Sequence, residues 1–229
     1  MKKSHLENLL DVISDLRDRF VLDLGSGRGK FLVELASYNI KAIGLELNQD
    51  YIEIALARAK ENNVSINIER GVAENLPYKD STFDFVNMSE VIEHVEEPKR
   101  VMSEVFRVLH KGGLVYVSVP NRFGMTDQHF NLDFVNWLPR KFSDRVVYFF
   151  EKNIQFVKGI GFQKLSEMHY FTYNQAKNIF EPLGFHVSDI RKIKITRRFK
   201  TPLARLIVLF IYRVLRVFYF DSFHFLLKK

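Results

Sequence analysis

The sequence predicts an α/β protein: a doubly wound, mainly parallel seven-stranded sheet with helices on both faces. Three observations predict it. Short apolar runs alternate along the chain with segments of helical period. A glycine cluster follows the first of those runs directly. The composition, 47% hydrophobic and 27% charged, is that of an ordinary globular protein, which excludes disordered, collagen-like and coiled-coil chains. At roughly 150 residues per domain, a single domain over 1–229 is expected, with room for an insertion.

The elements follow in order. Ser4 and Glu7 form a capping box, and Leu6, Leu9, Leu10, Ile13 and Leu16 recur at helical spacing, so an amphipathic helix opens the chain. Phe20 to Leu24 is a buried strand ended by Gly25-Ser26-Gly27-Arg28-Gly29, after which Phe31, Leu32 and Leu35 resume the helical period. Ala42 to Leu45 is the second strand, Asp50 to Glu61 a helix, Ile66 to Glu69 the third strand, and Phe83 to Met88 the fourth. Val101, Val105, Val108 and Leu109 line a helix that should stop at Gly112-Gly113, before a fifth strand from Leu114 to Val119. The rhythm breaks over about 122–170, an aromatic-rich stretch that reads as an insertion. A helix from Asn174 to Leu183, a strand from Phe185 to Ile190, a helix from Pro202 to Phe218 and a closing strand from Ser222 to Lys228 complete the pattern.

Charge is unevenly distributed. The chain carries +7, but residues 191–229 hold 11 Lys or Arg against Asp221 alone, so the remainder is mildly acidic. The absence of cysteine excludes disulfides, thiolate zinc sites and a cysteine nucleophile, and no metal is expected. Glu7, Asp11 and Asp15 interrupt the apolar run a signal peptide needs, so a cytoplasmic location is expected.

The glycine block lies where open parallel sheets bind ligands, at the carboxyl end of the first strand. A phosphate P-loop would need Gly at Leu24 and Ser or Thr at Phe31, and a dinucleotide fingerprint would want its third glycine at Lys30. The block instead resembles motif I of the class I S-adenosylmethionine-dependent methyltransferases, of the type 11 kind. Four further blocks are similar to that superfamily in order and spacing: Gly44-Leu45-Glu46-Leu47, Gly71 to Tyr78, Phe83 to Val95, and Leu109 to Gly113 with the strand ending at Pro120. Phe171-Thr172 to Gly184-Phe185 is more weakly similar to the late helix and strand of this group.

The resemblance implies a Rossmann-like fold and S-adenosyl-L-methionine as methyl donor. Asp23, Gly25, Ser26 and Gly27 would shape the methionine end of the pocket, Glu46 with Leu47 the ribose, Ala73 the adenine edge, and Ser89 would close it. Val72 departs from the pattern, since many relatives carry an aspartate for the adenine amino group there, and Glu74 is the substitute at hand. Methyl transfer depends mainly on positioning, and a hydroxyl acceptor must also lose a proton. Of seven histidines, His129 and His169 flank the insertion that should cover the acceptor, which makes them the candidate bases. His94 beside Glu93 belongs to the fourth block and is assigned a structural role.

The acceptor is expected to be a small molecule, a glycan or a lipid-linked compound, methylated on oxygen. Segment 121–140 is distantly similar to methyltransferases of bacterial surface-glycan, lipid and quinone pathways. The 202–218 helix carries a narrow basic stripe on a wide apolar surface, as helices lying on anionic membranes do; the bland alternative is a core helix with its arginines outward. Nucleic acid is not expected as a partner, because these arginines sit among aliphatic residues rather than polar ones. The competing functions are a tRNA or rRNA methyltransferase and a catalytically silent module that presents this helix to a membrane.

Overall fold

A computed structural model describes residues 3–13, 16–151 and 163–229. Seven strands form the main sheet: β1 (Val21–Leu24), β2 (Ala42–Glu46), β3 (Asn67–Arg70), β4 (Phe83–Met88), β5 (Leu109–Pro120), β8 (His186–Asp189) and β9 (Ser222–Lys228). Two short strands, β6 (Thr126–Asp127) and β7 (Leu132–Asp133), pair separately in the insertion. The sheet order is β3-β2-β1-β4-β5-β9-β8, parallel except for β9, which runs antiparallel to both neighbours. The chain therefore winds outward from β1 in both directions, and the reversal opens a crevice at the carboxyl ends of β1 and β4.

Helices cover both faces. On one, α4 (Pro98–Val108) and α6 (Tyr173–Phe180) bury Val101, Met102, Val105, Ala176 and Phe180 against Leu22, Leu24, Val86 and Phe225. On the other, α1 (His5–Leu10) and α2 (Lys30–Ser37) bury Leu6, Leu9, Phe31 and Leu35 against Val21, Phe85 and Tyr116. Alternate strand residues thus feed opposite cores, which is why the strands read as continuous apolar runs. The remaining outer helix of the donor half, α3 (Gln49–Glu61), starts at Asn48, whose side chain accepts from the amides of Asp50 and Tyr51.

Several boundaries differ from the sequence reading. The opening helix ends at Leu10, although Ile13 and Leu16 remain buried in the same cluster. Gly112-Gly113 does not precede the fifth strand but lies within it: β5 begins at Leu109, with Gly112 at φ +81° and a register shift against β4. The strand expected to reach Ile190 stops at Asp189, whose carboxylate accepts from the amides of Arg191 and Lys192 and so caps an unanticipated helix, α7 (Ile190–Arg198). The helix expected over 202–218 is α8 (Pro202–Leu215).

The insertion is ordered around its own small core. Phe130, Val135, Val147, Leu165, Met168 and Tyr170 pack together beneath the β6–β7 hairpin and α5 (Arg140–Glu151). Phe156, one of the aromatics that marked the insertion, lies outside the described residues.

Candidate active site

The crevice at the ends of β1, β2 and β4 widens into a cavity of about 1170 Å³. Parallel pairing sets its floor. Asp23 of β1 stands in register with Asn87 of β4, and Asn87 Nδ2 donates to Asp23 Oδ1 at 2.7 Å. His5, delivered by α1, lies 2.9 Å from Asn87 Oδ1 through its Nε2. Asn87 Oδ1 only accepts, so the histidine donates and the chain His5, Asn87, Asp23 has a fixed direction. Asp23 is almost fully buried and its Oδ2 meets no partner. Burial pushes its carboxyl up to about 7, opposed by the Asn87 bond and reinforced by Glu46.

The loop after β1 forms the wall. Gly25 sits at φ +66° with Val91 so close that a Cβ would approach its Cγ2 to 2.5 Å, so only glycine fits. The loop is pinned to strand two: Gly25 N donates to Leu45 O, and Gly27 N donates to Glu46 Oε2 at 2.8 Å. Glu46 Oε1 accepts from Asn48 N at 2.9 Å. The acid that ends β2 therefore fixes the glycine loop from below.

All nine residues expected around the donor, namely Asp23, Gly25, Ser26, Gly27, Glu46, Leu47, Ala73, Glu74 and Ser89, line this one cavity. Glu74 is engaged locally, since its Oε1 accepts from Glu96 N at 3.0 Å, while Val72 is substantially exposed beside it. Of the two candidate bases, His129 lines the cavity and His169 does not. The His169 ring stacks on Phe171 with planes 19° apart, and its backbone N–H donates to Glu93 O.

Further polar residues that the sequence does not place there join the site, among them His94, to which the sequence reading assigns a structural role. Glu90 lines the cavity from a left-handed backbone at φ +57°, unusual for a carboxylate residue, and its amide donates to Ser118 Oγ. His94, the fourth-block histidine, projects into the cavity, its Nε2 3.3 Å from His129 Nε2. Glu93 beside it is 1% exposed, and burial raises its carboxyl to about 8. His129 is lowered from its ordinary range by burial and by His94. Asp127 is fully buried and accepts from the amides of His129 and Phe130, and from Tyr170 OH. The sequence signal for this cluster was Asp127 two residues before a histidine, the spacing of an Asx turn.

A methyltransferase-domain family model matches residues 22–117, the stretch that builds β1 to β5 and the cavity floor. The ubiquinone biosynthesis O-methyltransferase of Rickettsia bellii (strain OSU 85-389) is 31% identical over 117 residues, 51% of this chain and 48% of that protein. A Thermotoga maritima structure described as an S-adenosylmethionine-dependent methyltransferase, possible histamine N-methyltransferase, is 25% identical. It has a TM-score of 0.54 and covers 80% of this chain and 73% of its own. Residues 22–117 form a methyltransferase domain of the class I S-adenosylmethionine-dependent superfamily. A methyltransferase from Mesorhizobium loti shares the fold across 96% of this chain and 95% of its own, at a TM-score of 0.61 and 19% identity. The methyltransferase core is thus common to all these chains, whereas the match spans less than half the length of the curated relatives.

The residues present suit the superfamily's donor. An orphaned buried Asp23 oxygen and a glycine loop that admits no side chain offer a polar end and close backbone approach. Away from the cavity, α8 is built differently. Most of the large apolar residues of α8 point away from the protein: Leu203, Leu206 and Phe210 are each at least 67% exposed. The buried side of α8 carries Tyr212, which donates to Asp189 Oδ2, followed by Arg216, which lies over the Tyr173 ring at 3.6 Å. This reverses the core-helix alternative, in which the apolar side would face inward. Trp137 of the insertion meets Phe218, just beyond α8, and Phe134 edge to face, and Phe142, Phe149 and Phe150 of α5 are exposed as well.

Proposed function

We propose that this chain transfers a methyl group from S-adenosylmethionine to a hydroxyl oxygen of an amphiphilic acceptor held at an anionic membrane surface. The observation that carries the donor half is the single cavity shared by the glycine loop, Glu46 and the buried Asp23–Asn87 pair. The bound donor would supply a sulfonium methyl: its transfer forms an O–C bond, returns the C–S pair to sulfur and releases the hydroxyl proton. The chain's own task is to bind, to align and to receive that proton. Glu46 would hold the ribose hydroxyls, and the glycine-loop amides would face the donor's polar end. His129 would stand on the acceptor side, neutral at pH 7 because its burial disfavours the imidazolium. His169 is withdrawn as a candidate base, since its ring is stacked outside the cavity. The Rickettsia bellii relative's name supports oxygen as the methylated atom.

The amphiphilic acceptor is supported by the exposed apolar residues of α8 and of the insertion, together with basic residues Lys192, Lys194, Arg197, Arg198 and Lys200 on exposed positions. Among the described residues no helix is long and apolar enough to cross a membrane, so such a face would lie in the interface plane. Incubation of the protein with methyl-labelled donor and a bacterial lipid extract, set against an aqueous metabolite extract and bulk RNA, tests the reading. Label in an extractable amphiphile is the expected result; label confined to RNA, or donor binding with no labelled product in any fraction, overturns it.

A further inference from the structure

The hydrogen bonds around His94 and His129 fix both tautomers. Gln163 Oε1 lies 2.8 Å from His94 Nδ1, and an amide oxygen only accepts, so His94 carries its proton on Nδ1. Tyr170 gives its hydroxyl proton to Asp127 Oδ2 at 2.6 Å, so its oxygen accepts from His129 Nδ1 at 2.8 Å. Each neutral ring therefore turns a bare Nε2 lone pair toward the other, across 3.3 Å. Two acceptors at that distance repel unless something positive lies between them. Glu93 brings a carboxyl to the same place: its Oε1 is 3.8 Å from His129 Nε2, and its Oε2 is buried with no hydrogen-bond partner.

We infer that Glu93, His94 and His129 form a binding site for a divalent first-row transition ion, with its open positions toward the donor cavity. The three ligand atoms lie within 4.8 Å of one another. Metal–nitrogen bonds of about 2.0 to 2.1 Å in tetrahedral array put two nitrogens roughly 3.3 to 3.4 Å apart, the separation found between these rings. Two imidazoles and one carboxylate with unfilled positions suit zinc, manganese, cobalt or iron rather than calcium. The outer contacts, Gln163 on one ring and the Tyr170–Asp127 pair on the other, are those that orient metal-bound histidines. The inference rests on the oxygen-methylation reading only for its purpose: a cation there would bind the acceptor hydroxyl as a Lewis acid and lower its pKa, the proton passing to water. His129 would then act through the cation instead of taking the proton itself.

The site can be tested without turnover. Chelator-stripped protein is titrated with cobalt(II), read by its visible absorption, and with zinc(II), read by calorimetry. One equivalent should bind, with the absorption of a low-coordinate nitrogen and oxygen site. His94→Ala, at an exposed position that the fold does not need, should weaken binding at least tenfold. Tyr170→Phe, which removes the oxygen that sets the His129 tautomer, should weaken it by roughly ten- to a hundredfold, with circular dichroism checking that each variant folds. Failure of the wild type to take up cobalt or zinc at millimolar concentration, or equal affinity in wild type and His94→Ala, overturns the site and leaves the two rings sharing a proton. Donor affinity of the stripped protein, measured in parallel, separates this from the methyl-transfer reading: donor binding without metal binding defeats the site alone, and metal binding without donor binding defeats the donor reading alone.

Discussion

The two sides of the cavity are built on opposite physical terms. On the donor side, residues 20–120 hold the site by backbone: glycine amides, strand register and the ends of β1, β2 and β4 leave little that a side chain could move. On the proposed acceptor side, the insertion places His129, Gln163 and Met168 at the cavity over a small separate core, and beyond it much of the apolar surface of α8 faces outward. A common donor needs an invariant shape, which backbone provides; an acceptor differs from enzyme to enzyme, and loops on a rigid scaffold provide for that. Changes on the donor side should therefore alter binding of one ligand, whereas changes on the acceptor side should alter turnover or location and spare that ligand.

The largest effect is expected at His129, which the proposed reaction places on the acceptor side and whose ring meets His94 and Glu93 rather than the glycine loop, Glu46 or the Asp23–Asn87 pair. His129→Asn should lower turnover by about a hundred- to ten-thousandfold with donor affinity unchanged, as single-turnover kinetics and donor calorimetry would measure. A parallel loss of donor affinity would mean that the two sides are one unit and the contrast drawn here is false.

A second contrast concerns pH. Asp23 has its carboxyl raised to about 7 by burial, against an ordinary value of 3.8. Between those values the folded state keeps a proton that the unfolded state has released, so stability is full below about pH 4 and is lost as pH rises through 7. At about 1.36 kcal/mol per unit, the group's contribution falls by roughly 4 kcal/mol across that window. Asp23→Asn, which stays neutral, should flatten this dependence of melting temperature on pH. Equal slopes in wild type and variant would mean that Asp23 ionises freely and the donor floor is wetter than its burial implies.

Glu46→Gln is the smaller donor-side test. It keeps the shape but removes the charge that accepts from Gly27 N and would accept from ribose. Hydrogen bonds to a charged group are worth about 1.5 to 3 kcal/mol, so donor affinity should fall roughly ten- to a hundredfold by calorimetry. If turnover with saturating donor falls as far as affinity does, Glu46 acts on the acceptor as well, and the division between the two sides blurs.

The same division governs what the sequence could reveal. The donor side was legible because glycine turns and buried strands are local and carry the family resemblance: Gly25, Glu46 and Ser89 meet in one cavity as that resemblance implied. The rest of the site, on both sides, depends on contacts across long separations. Nothing local announced that His5 would reach Asn87, 82 residues away, or that Gln163 would reach His94, 69 away. Helix α7 escaped notice because its mean hydropathy is low and Asp189 reads equally as a strand residue and as a cap. The direction of α8 was ambiguous for a different reason: an apolar helix with a basic stripe has the same pattern whether the stripe faces water or packs inward, and here Arg213 is exposed while Arg216 lies over the Tyr173 ring.

That orientation carries the last prediction. With Tyr212 anchored to Asp189 and Arg216 over Tyr173, the side chains left outward are Leu203, Leu206, Phe210 and Val214, so a lipid surface would receive the apolar side directly. Burying one large apolar side chain is worth about 1.5 to 3 kcal/mol, and each nearby basic residue adds about 1 kcal/mol toward an anionic surface. Sedimentation with phosphatidylglycerol vesicles should pull the protein down, less at high salt. Leu206→Asp with Phe210→Asp should release it by at least tenfold in partition coefficient, and donor affinity should not change. The melting temperature should not fall either, since both side chains are 67% exposed and leave no cavity behind. If the double variant melts lower and sediments as before, α8 packs through this face in solution, the apolar surface belongs to the fold, and the amphiphilic acceptor loses its support while the donor side stands as described.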